Sequence, residues 1–76
     1  MAPEPQLLTC PEKAQLFREL SSAMAAILAW NTREMVAVIA SQFADLEAIQ
    51  AELQQARERK ASILAAYRDH VETHGC

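Results

Sequence analysis

Apolar side chains recur at helical spacing along most of the chain. In the first half the recurring positions lie three, four or seven residues apart, at Leu16, Leu20, Met24, Ile27, Asn31, Met35 and Val38. An α-helix turns about 100° per residue, so this spacing places these side chains on one face. Phe17, Leu28 and Ile39 widen the apolar face to about half of the helix circumference. A helix with a single neighbour needs a narrower face.

The second half carries a narrower apolar stripe of the same period. Its members are Leu46, Ile49, Leu53, Ala56, Lys60, Ile63, Leu64, Tyr67 and Val71. Residues 12–74 contain neither Gly nor Pro and are mainly strong helix formers. The pattern therefore predicts an all-α protein, with a long second helix that ends before Gly75.

The predicted structured part begins at Thr9. Thr9 and Glu12 match a capping box, and Pro11 falls in the first helical turn, where its missing N–H costs nothing. Residues 1–8 hold two of the three prolines and have no periodicity, so we expect a flexible N-terminal arm. Residues 9–76 are predicted to form a single helical-hairpin domain.

The position of the turn decides the architecture. A turn at Ser41 and Gln42 is favoured, because Ser41 would cap a new helix. A turn at this position also divides the chain into two arms of similar length. A turn at Asn31, which forms a second capping signature with Glu34, is the rival, and an unbroken coiled-coil rod is a third possibility. We predict an antiparallel two-helix hairpin, with helices at about residues 10–40 and 43–74.

A two-helix hairpin has no enclosed core, so its exposed apolar surface predicts association. The simplest assembly is a homodimer of hairpins that forms a four-helix bundle. In this interpretation Trp30 anchors the interface or packs in the core, and Asn31 fixes the register as a polar group on the apolar face. The predicted interface residues are Phe17, Met24, Leu28, Trp30, Asn31, Met35 and Ile39.

Composition and charge exclude several classes of protein. The net charge is −3 and the basic residues are interspersed with acidic ones, which does not fit a nucleic-acid binder. The N-terminal residues have neither the charge nor the apolar run of a signal peptide, and the longest apolar run is far shorter than a membrane span. We therefore expect a cytoplasmic protein. No catalytic motif occurs in the sequence, so we expect no enzyme activity.

Cysteine and histidine residues are concentrated at the predicted open end of the hairpin. His70 and His74 are one helical turn apart, and Cys76 follows closely. A hairpin that turns near Ser41 brings Cys10 to the same end. Two thiols and two imidazoles are ligands that zinc favours, so Cys10, His70, His74 and Cys76 are a candidate metal site.

These residues have two further interpretations. A Cys10–Cys76 disulfide would join the two ends of the hairpin. Alternatively, Cys10 is a buried apolar plug with a free thiol, Cys76 is a free terminal thiol, and the histidines complement the dipole of the last helical turn.

The sequence thus predicts a small non-enzymatic helical module for protein interaction or assembly, acting through an apolar helix face. The partner is expected to be a second copy of the chain or another protein. The alternative is a metal- or redox-responsive module that uses the Cys/His cluster where the chain ends meet.

Overall fold

The protein is a hairpin of two helices of equal length. The computed structural model describes residues 10–74. Helix α1 spans Pro11–Ile39 and helix α2 spans Leu46–His74, with a short 3-10 turn at Phe43–Asp45 before α2. No strand occurs within residues 10–74. The all-α hairpin is confirmed, while the rod and the turn at Asn31 are wrong, because Asn31 lies inside α1.

Helix α1 begins one residue later than the capping box predicts. Cys10 is the N-cap, its side chain makes no capping hydrogen bond, and Pro11 follows within the first turn. The backbone carbonyl of Cys10 accepts the first helical hydrogen bond, from the N–H of Ala14 at 3.1 Å. Thr9 and the predicted arm at residues 1–8 lie outside the described residues. The helix start therefore places Cys10 at the open end of the hairpin.

The chain reverses at Ser41, but not by the mechanism that the sequence predicted. Ser41 has a positive φ of 58°, and its N–H donates to the carbonyl of Val38 at 3.1 Å. The N–H of Gln42 donates to the carbonyl of Ala37 at 2.7 Å. These two bonds form a Schellman motif, which closes the C-terminus of a helix. Ser41 therefore ends α1 and does not cap α2, whose α-helical part starts at Leu46 after the 3-10 turn.

The two helices meet along a seam with a regular heptad spacing. On α1 the buried and half-buried seam positions are Lys13, Leu16, Leu20, Ala23, Ile27, Trp30, Glu34 and Ala37. On α2 they are Leu46, Ile49, Leu53, Ala56, Lys60, Ile63, Tyr67 and His70. Alternating steps of three and four residues keep these side chains facing the partner helix, as in a coiled coil. The seam runs the full length of both helices.

The predicted face of α2 is largely correct, whereas that of α1 is displaced by one residue. Leu16, Leu20 and Ile27 face α2 as expected, but Met24, Asn31, Met35 and Val38 are exposed. The seam instead uses the residues that precede these four along the chain. One residue corresponds to about 100° of rotation around the helix axis. Several large apolar side chains of α1, including Met24 and Met35, consequently point away from α2.

The hairpin is a single layer of helices. Its principal extents are 55 × 24 × 13 Å, and a helix with its side chains is about 10–12 Å wide. The radius of gyration is 16.8 Å, compared with about 11 Å for a compact domain of this length. The best-buried cluster contains only Ala37, Ile49 and Leu53, with Ile27, Trp30 and Leu46 packed around it. Neither helix within residues 10–74 contains an apolar segment of the length that a membrane span requires.

Candidate functional site

Helix α1 carries a second apolar stripe beside the seam. Its positions again alternate in steps of four and three, at Phe17, Ser21, Met24, Leu28, Asn31, Met35 and Val38. We call this set the outer stripe. All of its members are exposed, with Leu28 at 69% of its maximal accessible surface. Because the spacing is that of a coiled-coil seam, the outer stripe has the geometry needed to pack against another helix.

The central part of the outer stripe lies on an uncharged stretch of α1. No Asp, Glu, Lys or Arg occurs on α1 between Glu19 and Arg33. At the turn, Ile39 is 77% exposed and Phe43 is also exposed, so the apolar surface continues past the end of α1. Contiguous exposed apolar surface of this kind usually marks an interaction site in a soluble protein.

Six of the seven predicted interface residues are exposed. Phe17, Met24, Leu28, Asn31 and Met35 belong to the outer stripe, and Ile39 lies at the end of α1. The seventh, Trp30, is half-buried in the seam next to the core cluster, with the guanidinium of Arg33 4.5 Å from its ring centroid. Trp30 therefore packs within the hairpin, as the core interpretation of this residue predicted.

At the open end, Cys10 meets His70. Their side chains lie at the last turn of the seam, with the Cys10 Sγ atom 2.8 Å from the His70 Nε2 atom. Only 5% of Cys10 and 9% of His70 is exposed. The hairpin thus brings two of the four predicted metal-site residues into direct contact across 60 positions of sequence.

Cys10 is disulfide-bonded, so the expectation of a free Cys10 thiol is wrong. A disulfide sulfur carries no hydrogen and acts only as an acceptor. The hydrogen bond therefore runs from the Nε2–H of His70 to the Cys10 Sγ atom. Cys76, the only other cysteine of the sequence, lies outside the described residues.

A carboxylate faces the other nitrogen of the His70 ring. The Oε1 atom of Glu12 is 3.6 Å from His70 Nδ1, and the Glu12 side chain is largely exposed. Next to this pair, the ammonium group of Lys13 lies 5.9 Å from the ring centroid of Tyr67. Cys10, Glu12 and His70 thus form a chain of sulfur, imidazole and carboxylate.

A shallow recess of about 550 Å³ opens beside His70. It is lined by Pro11, Glu12, Gln15, Leu16, Ala66, Asp69 and His70. His70 borders this recess although only 9% of the residue is exposed, and Cys10 is not among the lining residues.

The zinc site stays a prediction. Within residues 10–74, no group of three or more His, Cys, Asp or Glu side chains is arranged to hold a metal ion. The two other predicted ligands, the side chain of His74 and Cys76, lie outside the part of the chain whose side chains the structure describes.

Glu12 is the site residue that the sequence alone does not indicate, because its spacing from Thr9 predicts only a capping box. The heptad spacing of α2 would have indicated the inward position of His70, since Ile63, Tyr67 and His70 continue the steps of four and three. The Glu12 contact depends on the angle at which α1 starts, which no spacing rule supplies.

Comparison with known proteins identifies no relative. No protein-family model matches the chain, and searches of curated proteins and of solved structures found no similar protein. The candidate function therefore depends on the geometry of the chain itself.

Proposed function

We propose that this protein is a non-enzymatic assembly module that forms a homodimer through the outer stripe of α1. In the dimer, the outer stripes of two hairpins pack against each other and produce a four-helix bundle. The observation that carries this proposal is the second heptad stripe on a surface without charged residues between Glu19 and Arg33.

The shape of the hairpin supports the same proposal. Stable domains usually consist of two packed layers of secondary structure around one core. This chain supplies one layer, 13 Å thick, whose core contains mainly small residues. Stacking a second hairpin on the outer stripe would supply the missing layer, and a two-fold symmetric contact requires only one self-complementary surface.

Asn31 and Ser21 give the outer stripe a means of specifying one arrangement. A polar side chain at a seam position is disfavoured unless it finds a hydrogen-bonding partner, so it selects the register in which that partner is present. Asn31 and Ser21 are exposed and lie outside the seam between α1 and α2.

Sedimentation equilibrium tests the dimer directly. We expect the wild-type chain to show a concentration-dependent mass that rises from 8.4 kDa towards twice that value. Leu28→Glu should weaken the dimer at least about 100-fold, because each dimer loses two buried leucines at about 1.5–3 kcal/mol each. The helical circular dichroism signal should persist, since Leu28 does not face α2.

The matched control is Gln55→Glu, which adds the same charge to the exposed surface of α2 four residues before Arg59. It should leave the dimer unchanged. A wild-type mass of 8.4 kDa at all concentrations, or equal weakening by both substitutions, would contradict the proposal.

The second candidate function is a redox- or metal-responsive module, favoured by the contact between Cys10 Sγ and His70 Nε2. In the cytoplasmic setting that we propose, thiols keep most cysteines reduced, and disulfides that form there are usually transient and sensory. A disulfide at the open end would control whether the two helix ends stay together.

Native mass spectrometry with and without zinc and a reductant separates these functions. A two-proton mass loss that reductant reverses supports a redox module, and a bound ion that a chelator removes supports a metal module. If neither appears, and Cys10→Ser together with Cys76→Ser leaves the melting temperature unchanged, the second candidate function is wrong.

A further inference from the structure

We propose that the two hairpins of the dimer lie antiparallel, with their turns at opposite ends and with α1 of one copy packed along α1 of the other. In this register Ser21 of each copy contacts Asn31 of the other copy. The inference rests on the homodimer proposed above and specifies how the second copy is placed on the outer stripe.

The order of polar and apolar residues in the outer stripe is the same in both directions. Between residues 17 and 35 the order is apolar, polar, apolar, apolar, polar, apolar. The steps between these positions are four, three, four, three and four residues, which are also unchanged on reversal. Two copies related by a two-fold axis perpendicular to α1 can therefore pair at every position of this segment. Its members are Phe17, Ser21, Met24, Leu28, Asn31 and Met35.

Pairing this segment with its own reverse brings like residues together. The hydroxyl of Ser21 and the amide of Asn31 both donate and accept hydrogen bonds, so each satisfies the other. Val38, the last member of the outer stripe, falls opposite the apolar Ala14. The remaining pairs are apolar on both sides. Each pair forms twice in the dimer, and the pairs of the segment are Phe17 with Met35, Ser21 with Asn31, and Met24 with Leu28.

Sliding one helix by a heptad in either direction breaks this match. One shift places Asn31 opposite Leu28 and Ser21 opposite Val38, and the other places Asn31 opposite Ala14. A buried amide without a hydrogen-bonding partner costs free energy, so both shifted registers are disfavoured. The two polar positions therefore select one antiparallel register.

The position of the outer stripe on the hairpin restricts how two layers stack. Each stripe member follows a seam member by one residue, so the stripe lies about 100° around α1 from the seam and faces out of the flat side of the layer. Viewed from the same end, α2 winds in the opposite sense and its seam faces in the opposite direction. The residues that follow the seam positions of α2 therefore lie on the same flat side. They are exposed, and they include Glu47, Gln50, Gln54, Arg57, Ala61, Leu64 and Arg68.

These flat sides can stack symmetrically in two ways. With the turns at the same end, each α1 packs on the α2 of the other copy, which buries the apolar stripe beneath Arg57 and Arg68. The outer stripe has no carboxylate, so these guanidinium groups would lose water without gaining a charged partner. With the turns at opposite ends, α1 packs on α1, and Arg57 meets an α2 face that offers the side-chain oxygens of Glu47 and Gln54. The distribution of charge therefore favours the antiparallel dimer.

The contact is large enough for a stable dimer. The layer is 24 Å wide, and residues 17–35 of α1 extend over about 27 Å at 1.5 Å per residue. Over this length the flat side covers about 650 Å² on each hairpin and about 1,300 Å² in total, which exceeds the ~1,000 Å² expected of a biological interface.

Isotope-filtered NMR on a mixture of isotope-labelled and unlabelled wild-type protein tests the arrangement. Phe17 and Met35 are about 27 Å apart along one helix, so a nuclear Overhauser cross-peak between them can arise only between two copies. We expect cross-peaks between the Phe17 ring and the Met35 methyl group. Their absence from a sample that is dimeric by sedimentation would overturn the antiparallel register and leave the homodimer intact. A monomeric wild-type chain would overturn both.

Two double variants that differ at one position test the contact between Ser21 and Asn31. Ser21→Asp with Asn31→Lys places opposite charges together twice in the antiparallel dimer, whereas Ser21→Lys with Asn31→Lys places like charges there. The two positions are about 15 Å apart within one helix, so the charges do not meet inside a hairpin. The first variant should dimerise at least about tenfold more tightly than the second, as expected when two repulsive pairs are exchanged for two attractive ones.

A parallel contact between the outer stripes predicts a different result. Each position would then meet itself, so both double variants would carry like charges at both positions and dimerise equally weakly. Equal dissociation constants in sedimentation equilibrium would overturn the antiparallel register. Circular dichroism is the control, because both positions are exposed and lie outside the seam, so the helical signal should be the same in the two variants.

Discussion

Helices α1 and α2 have the same length and contribute equally to one seam, but their outer faces are opposites. Each has 29 residues and eight seam positions at heptad spacing. The outer face of α2 carries Glu47, Glu52, Arg57, Glu58 and Arg59, all exposed. The outer face of α1 carries the uncharged outer stripe. Only the seam is needed to pack α1 against α2, so the outer stripe does not contribute to the packing of the hairpin.

The two outer faces differ in how favourable their exposure to water is. An α2-type surface is sufficient for a hairpin that works alone, because charged side chains keep it solvated. The α1 surface exposes large apolar side chains over much of its length, which is unfavourable unless another surface covers it. The asymmetry therefore has a physical explanation if α1 is internal in the assembly and α2 is external.

The largest effect is expected from placing charges on both sides of the centre of the outer stripe. Met24→Glu combined with Met35→Glu should abolish the dimer, with at least about a 1,000-fold loss of affinity, since four buried side chains per dimer are replaced. Sedimentation velocity at the highest soluble concentration should show a single species with the mass of the monomer. Gln55→Glu combined with Ser62→Glu places the same charges on α2 and should keep the dimer; loss of the dimer in both variants would remove the distinction between the faces.

A leucine-to-alanine pair compares the seam with the outer stripe. Leu53 is 2% exposed, so Leu53→Ala should lower the free energy of unfolding by about 2–5 kcal/mol, through lost burial and a residual cavity. Leu28→Ala should change the unfolding of the monomer by about 0.5 kcal/mol or less, since Leu28 lies outside the hairpin core. Urea unfolding at a protein concentration below the dimer dissociation constant measures the free energy of unfolding of both variants.

Equal destabilisation of the monomer by Leu28→Ala and Leu53→Ala would contradict the assignment of Leu28 to the outer surface. The conservative variant Leu53→Met keeps most of the volume and should cost less than about 1.5 kcal/mol, which controls for the loss of leucine as such.

The same asymmetry explains how far the sequence predicted the fold. The hairpin and its turn could be predicted because equal arms, the polar pair at Ser41 and the absence of Gly and Pro between residues 12 and 74 all agree. The rotation of α1 about its own axis could not be predicted, because the seam and the outer stripe are adjacent and have the same heptad period. The seam uses Ala23 and Ala37, whose small side chains let the helices approach, and the polar Glu34, so apolarity alone favours the bulkier outer stripe.

The candidate site was predicted to a similar extent. Once the turn is fixed, antiparallel helices bring Cys10 beside His70, and the sequence predicted this proximity. It did not predict that Cys10 is the N-cap, because the capping box favours Thr9, nor that Glu12 faces the imidazole. Both features depend on the first turn of α1. There Pro11 restricts the backbone conformation, and packing against α2 sets the direction in which the helix starts.

Asn31 allows a finer test of the outer stripe. Asn31→Leu would make the stripe apolar from Met24 to Val38, so the dimer should become about tenfold tighter, as expected for about 1.4 kcal/mol of added apolar burial. Sedimentation equilibrium measures this change. The variant should also lose its single arrangement, which would appear as additional sets of amide resonances in NMR spectra.

An unchanged affinity for Asn31→Leu would place Asn31 outside the interface. Thr32→Leu is a suitable control, because Thr32 is exposed one residue further round α1 and its hydroxyl bonds only to the carbonyl of Leu28 within the same helix.

The smallest expected effect concerns the connection that both faces share. Ser41 adopts a positive φ, which is unfavourable for a residue with a Cβ atom and is tolerated by glycine. Ser41→Gly should therefore raise the free energy of unfolding by about 0.5–1 kcal/mol, whereas Ser41→Ala should give no gain because it keeps the Cβ atom. Ser62→Gly, in the middle of α2, should lower the free energy of unfolding by a similar amount.

Because Ser41 lies outside the outer stripe, its substitution should stabilise the hairpin and leave the dimer dissociation constant unchanged. A change in that constant would mean that the turn takes part in the contact, with Ile39 and Phe43 as its apolar neighbours.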